Sequence, residues 1–237
     1  MIELQHVSFR ASNGGIEKEI IKDISITLNE KFIAFTGPNG GGKSTLAKLI
    51  MGILKPTSGK ILFNGQDITD LSITERAKLG IAFAFQAPVK FKGITVSDLV
   101  NIASGKTLSV TEICSYLSEV GLCARDYVNR EINASLSGGE LKRIEIATTL
   151  ARGSEFTIFD EPEAGIDLWS FNSLITVFEN MAKKTDGSIL IISHQERILN
   201  IADRIIIVSD GKIKADGTKE EILPQILSAS ACPVLSK

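Results

Sequence analysis

Gly37-Pro38-Asn39-Gly40-Gly41-Gly42-Lys43-Ser44-Thr45 fits the pattern G-x-x-x-x-G-K-[ST], and its flanks decide how the rest of the chain is read. Before it, Lys31-Phe32-Ile33-Ala34-Phe35 is short, apolar and strand-like; after it, Leu46, Leu49 and Ile50 follow helical spacing until Gly52. Strand, glycine loop and helix is the setting in which such a loop binds phosphate. Glycines let backbone N–H groups approach a triphosphate, with the positive end of the helix dipole behind them. Lys43 is expected to reach the β- and γ-phosphates, and the Ser44 hydroxyl to bind Mg²⁺. A glycine run can also make only a tight turn; the Lys-Ser pair and both flanking elements favour phosphate.

Composition sets bounds around that loop. The 237 residues suit one domain with a sizeable core, and 43% hydrophobic with 23% charged residues is ordinary for a globular chain. A formal net charge of −2 carries no basic signature for nucleic acid or an anionic membrane. No apolar run nears the ~18 residues of a membrane span, and Met1-Ile2-Glu3-Leu4 lacks a signal-peptide pattern, so a cytoplasmic location is expected, with no direct membrane insertion. Cys114, Cys123 and Cys232 form no C-x-x-C and are expected to be buried or inert.

Taken in order, residues 2–10 and 20–28 are expected strands, joined through a turn at Asn13-Gly14-Gly15. Ser72 to Glu75 reads as a capping box opening a short helix that Gly80 closes. Ile81 to Gln86 reads as a buried strand ending in a lone amide. Residues from about 93 to 135 are helical in pattern, with starts at Thr95 and Ser109 and a stop at Gly121. Leu141, Ile144, Ala147 and Leu150 stripe a further helix, and Leu168, Phe171, Leu174, Ile175, Phe178 and Met181 stripe another that Asp167 caps. Ser188 to Ser193 is a strand ending at His194, Ser209-Asp210-Gly211 a hairpin turn, and Thr218 to Glu221 a final capping box before a loose tail from about Ser228.

Phe156 to Asp160 is an apolar strand delivering Asp160 and Glu161 at its carboxyl end. Downstream of a phosphate loop, that is the arrangement of a carboxylate holding Mg²⁺, here Asp160, with Glu161 as general base for an attacking water. A strand can also simply end in solvated acids; the loop upstream favours chemistry. Gln86 and His194 are weak signals singly, yet both close apolar strands, beyond whose carboxyl ends ligands gather in an open α/β sheet.

The ordered set Gly37 to Thr45, Gln86, Leu136-Ser137-Gly138-Gly139-Glu140, Asp160-Glu161, Gly165-Ile166-Asp167 and His194 resembles the nucleotide-binding domain of an ABC ATPase over nearly the whole chain. That resemblance implies an α/β fold: a P-loop NTPase core of ABC type, with an N-terminal antiparallel β subdomain and an inserted helical subdomain. It further implies a single domain over 1–237, with about 1–86 and 136–228 as core, about 87–135 as the helical part and 229–237 as tail. The implied ligands are ATP and Mg²⁺. The implied assembly is an ATP-dependent homodimer, two copies pairing head to tail with Ser137, Gly138 and Gly139 of one facing the ATP of the other. Gln86 then senses Mg²⁺ and the partner protein, Asp167 lies at the dimer interface and His194 near the γ-phosphate. The family's adenine-stacking aromatic falls near Ala11, a departure that weakens any preference for adenine.

Within the family, several stretches are similar to SufC of iron–sulfur cluster assembly. They are Glu75-Arg76-Ala77, Gly80 to Val89, Tyr127 to Arg130, Gly138 to Arg143 with Glu145, and Ser193 to Leu199. This implies a soluble SufB/SufD-like scaffold as partner. The alternative is a membrane permease, through which the chain would be peripheral to a membrane; the segment from Gln86 to Thr95 is where either would dock.

Overall fold

The computed structural model describes residues 1–13, 16–87, 89, 91–133, 135–166 and 168–230. The chain forms two compact units, Met1–Leu79 with Ser188–Lys237, and Gly80–Gly187. The first unit begins with β1 (Ile2–Asn13), β2 (Ile16–Leu28), β3 (Phe32–Thr36), α1 (Lys43–Met51), β4 (Ser58–Phe63), β5 (Gln66–Asp67) and α2 (Ile73–Lys78). The second holds β6 (Ile81–Ala84), α3 (Val96–Ser104), α4 (Val110–Glu119), α5 (Ala124–Tyr127), α6 (Gly138–Arg152), β7 (Phe156–Asp160) and α7 (Leu168–Lys184). The chain then returns to the first with β8 (Ser188–Ile192), α8 (Glu196–Asn200), β9 (Arg204–Ser209), β10 (Lys212–Thr218) and α9 (Lys219–Ser230).

Two sheets organise the first unit. β2, β1, β4 and β5 lie in that order as an antiparallel sheet. β10, β9, β3 and β8 form the other, antiparallel at the β9–β10 hairpin and parallel elsewhere. Residues 32–35 of β3 and 189–192 of β8 are fully buried, so these strands read as continuous apolar runs because both faces of a parallel sheet are covered. Arg76, 1% exposed, fixes the far end of α1: its guanidinium donates to the Leu49 and Ile50 carbonyls at 2.7 Å each. A cation there meets the orphan carbonyls and the negative end of the helix dipole, anchoring the helix that carries the phosphate loop.

In the second unit β6 and β7 pair in parallel, Ala84 opposite Phe159, and α6 packs against α3 and α4. Capping boxes open α3 at Thr95 and Asp98, and α4 at Ser109 and Glu112. The stripe of α7 buries Phe171, Leu174, Phe178 and Met181, with Phe178 edge-on to Phe159 at 5.0 Å between ring centres; Ile175 and, in α6, Leu150 stay half-buried.

Four local expectations change. β1 and β2 extend to Asn13 and from Ile16, because the exposed arms carrying Glu17, Lys18 and Glu19 pair without apolar alternation, with Arg10 3.7 Å from Glu19 across the pair. The strand expected to end at Gln86 stops at Ala84, for a reason that belongs to the site. Cys123 is exposed rather than buried, while Cys114 is half-buried. α9 continues to Ser230, past the expected start of a loose tail. Gly14, Gly15, Pro88, Lys90, Asp167, Cys232 and the rest of 231–237 lie outside the described residues.

Candidate active site

In the first unit, β3 delivers the chain into the glycine loop. A Cβ on Gly37, at φ 123°, would stand 2.3 Å from the Val208 carbonyl oxygen, and one on Gly41 2.6 Å from the same atom. No side chain fits there, so the loop's backbone is held against the end of β9. The β9–β10 hairpin adds a bond from Gly211 N–H to the Gly41 carbonyl at 3.0 Å, a support that the loop's own motif does not announce. Gly42 is the N-cap of α1 at φ 107° and supplies no side-chain acceptor to the first helical turn. Lys43 is 5% exposed, and its Nζ donates to the Gly37 and Pro38 carbonyls at 2.7 and 2.9 Å. The ammonium thus arches over the loop, where its charge and the helix N-terminus concentrate positive potential. Backbone and lysine together fit a polyphosphate.

His194 belongs to the same unit. Phe35 pairs with Ile192, so continuing the register sets Ser193 and His194 beside Thr36 and Gly37. Ser193 N–H bonds the Phe35 carbonyl at 3.1 Å and its Oγ accepts from Gln195 N–H at 3.0 Å, turning the chain so that His194 is exposed.

The second unit gathers Gln86, Asp160 and Glu161. With Ala84 opposite Phe159, the register runs on to set Gln86 opposite Glu161, and the Gln86 amide donates to the Glu161 carboxylate at 2.6 Å. Glu161 is held at φ 47°, a left-handed conformation costly for a non-glycine residue, which swings its side chain out of the strand's alternation. Asp160, 4% exposed, ends β7. Among the described residues no group of three or more His, Cys, Asp and Glu could hold a metal.

The α6 start is self-capped. The Ser137 hydroxyl accepts from Glu140 N–H at 3.2 Å, and Glu140 accepts from Ser137 N–H at 2.6 Å. The Tyr127 hydroxyl also donates to Glu140, and Arg130 lies 3.4 Å from it. These bonds, the Tyr127 one first, hold the Glu140 carboxyl down at about 2, and Glu140 in turn raises the Tyr127 phenol. Gly138 and Gly139 differ from Gly37 and Gly41 and resemble Gly40: among the described residues, a Cβ on either would meet nothing within 4 Å.

Lys142 and Glu145, one turn further along α6, enter the sequence reading only within a stretch of resemblance and with no role of their own. Lys142 is 1% exposed and donates from Nζ to the Phe85 carbonyl, while Glu145 accepts from Phe85 N–H at 3.0 Å. Both polar groups of Phe85 are thereby withdrawn from the β ladder, which is why β6 ends at Ala84. Burial pushes the Glu145 carboxyl up, and Lys142 partly offsets that. Their spacing of three along a helix was the available signal, but it is common on solvated helix faces.

Comparison with known proteins follows the same lines. A protein-family model described as ABC transporter matches residues 21–164. An uncharacterised ABC transporter ATP-binding protein of Methanocaldococcus jannaschii is 39% identical, the match covering 86% of this chain and 85% of that protein. A probable ATP-dependent transporter of Pyropia yezoensis is 36% identical, covering 85% of this chain and 86% of that one. In fold, the chain matches a dimeric bacterial ABC transporter cassette with a TM-score of 0.83 at 22% identity, over 92% of this chain and 99% of that one. These names speak of transport; none of them speaks of iron–sulfur assembly.

Proposed function

The chain belongs to the ABC transporter family and is an ATP-binding ATPase with the ABC cassette fold, and we propose that it energises a membrane transporter as its ATP-binding subunit. The observation that carries the chemistry is the Gln86–Glu161 contact at 2.6 Å, at the paired ends of β6 and β7. It aims a carboxylate from the strand end beside Asp160. In this reading Gly37 to Thr45 wrap the triphosphate, and Lys43 binds its β- and γ-phosphates. Ser44, Asp160 and Gln86 are the residues that would hold Mg²⁺, which would supply positive charge to the phosphate oxygens. Glu161 accepts a proton from water as the water oxygen bonds the γ-phosphorus and the bond to the bridging oxygen breaks, releasing ADP and phosphate. His194 steadies the γ-phosphate.

The free space around Gly138 and Gly139 supports a site completed by a second copy, with α6 of one subunit offering N–H groups to the nucleotide of the other. Asp167 belongs at that dimer interface. Glu161→Gln tests both halves of the reading. Its kcat should fall by about 10²- to 10⁴-fold while ATP binding persists, and ATP should then convert monomer to dimer in light scattering. Full turnover in this variant would remove Glu161 as the base.

For the partner, the names of the relatives favour a permease, and among the described residues no helix is long and apolar enough to cross a membrane. In this reading that permease supplies the membrane span. A SufC-like role with a SufB/SufD-like scaffold is the second reading. In its favour, stretches carrying that resemblance meet in one network, Tyr127 and Arg130 on Glu140, Lys142 and Glu145 on Phe85. Affinity capture from the native cell separates the two: a stoichiometric integral membrane partner supports the transporter, and a soluble iron–sulfur scaffold replaces it.

A further inference from the structure

A buried lysine and a glutamate that grip a single peptide from both sides need a reason. Lys142 Nζ lies 2.9 Å from Glu145 Oε2, an oxygen buried away from water. Two charges removed from water at such a cost are poor evidence for stability, since apolar residues of similar volume often serve as well or better. What the pair does accomplish is local. Lys142 holds the carbonyl of Phe85 and Glu145 holds its N–H at 3.0 Å. Phe85 is 39% exposed, its ring tilted against Phe83 at 4.9 Å between centres, and it directly precedes Gln86, whose amide holds the Glu161 carboxylate at 2.6 Å.

We infer that Lys142 and Glu145 are positioning residues that tie Gln86 to the helix α6. Both side chains leave the same helix, three positions apart, and that helix opens with Ser137, Gly138 and Gly139. Once both polar groups of Phe85 are bound to it, any shift of α6 is carried to Phe85, and only the torsions of the next residue separate that anchor from Gln86. The glycine-opened helix start and the Gln86–Glu161 pair thus move as one body within this unit. A nucleotide or partner protein that displaces either one biases the other, and the coupling passes through one peptide rather than through diffuse packing.

This inference rests on the role given to Gln86 above, and the experiment keeps the two apart. The double variant Lys142→Met/Glu145→Met replaces the ion pair by apolar side chains of comparable length, which preserves the fold while releasing Phe85. With thermal unfolding as the check on folding, kcat should fall about 10- to 100-fold, with KM for ATP little changed. Lys142→Arg, which keeps a donor toward the Phe85 carbonyl, should recover most of that loss. Combined with Gln86→Ala, the double variant should be no slower than Gln86→Ala alone. Undiminished kcat in the folded double variant overturns the inference, and so does a loss that multiplies with that of Gln86→Ala. If Gln86→Ala itself turns over normally, the role of Gln86 falls, and the inference falls with it for that separate and visible reason.

Discussion

The chain contains two glycine-opened helix starts, and they are built on opposite principles. At α1 the glycines answer the chain's own demands: Gly37 and Gly41 lie against the Val208 carbonyl, and Gly42 caps the helix in a left-handed conformation without a side-chain acceptor. At α6 the chain caps itself through Ser137 and Glu140, and among the described residues a Cβ on Gly138 or Gly139 would meet nothing within 4 Å. The first start is a cradle whose shape the fold enforces and whose N–H groups face a ligand. The second is a self-capped helix end whose glycines leave open space beside them. One helix start is therefore fixed by close backbone contacts, and the other by its own side-chain cap, with open space beside its glycines.

The difference predicts unequal responses to substitution. The largest belongs to Gly37→Ala, where left-handed strain and a 2.3 Å overlap with backbone should cost about 2–5 kcal/mol in urea unfolding. A cost near zero would mean that the loop is not held against β9. Next, Lys43→Ala should weaken ATP binding by about 10- to 100-fold in calorimetry, the equivalent of one charged hydrogen-bond donor. Gly139→Ala should do the reverse of Gly37→Ala. Replacing an unhindered glycine within a helix should stabilise the isolated chain by about 0.5–1 kcal/mol, while turnover drops because the added methyl intrudes on the second copy's nucleotide. Turnover at the parent level in that variant would dissolve the contrast.

The smallest effect concerns the self-capped start. Since Glu140 is held at about 2, against the ordinary 4.5, its contribution to stability is complete above about 4.5 and is lost as pH falls toward 2. Tyr127→Phe removes the largest cause of that depression. Its unfolding free energy should therefore decline less steeply with acid over this window than that of the parent protein.

Much of this was legible in one dimension wherever a residue type and its spacing suffice for the geometry. Ser72, Thr95 and Ser109 predicted their helix starts because a capping box is closed by side chains three residues apart. The same pattern at Ser137 and Glu140 passed as part of a binding motif, although it also caps α6. The end of β6 was not legible, because the groups that stop it, Lys142 and Glu145, lie 57 and 60 residues away from Phe85. Nor was the exposure of Cys123, since a thiol carries no polarity pattern that distinguishes core from surface.

By itself the sequence determined the glycine loop and the strands that carry the carboxylates, because each depends on neighbours within a few positions, and the family, because its short motifs follow in order from Gly37 to His194. Only the tertiary structure decided that Gln86 reaches Glu161, that Val208 and Gly211 brace the phosphate loop, and that α6 grips Phe85. Those depend on strand register and helix placement, which are set by how the buried faces pack.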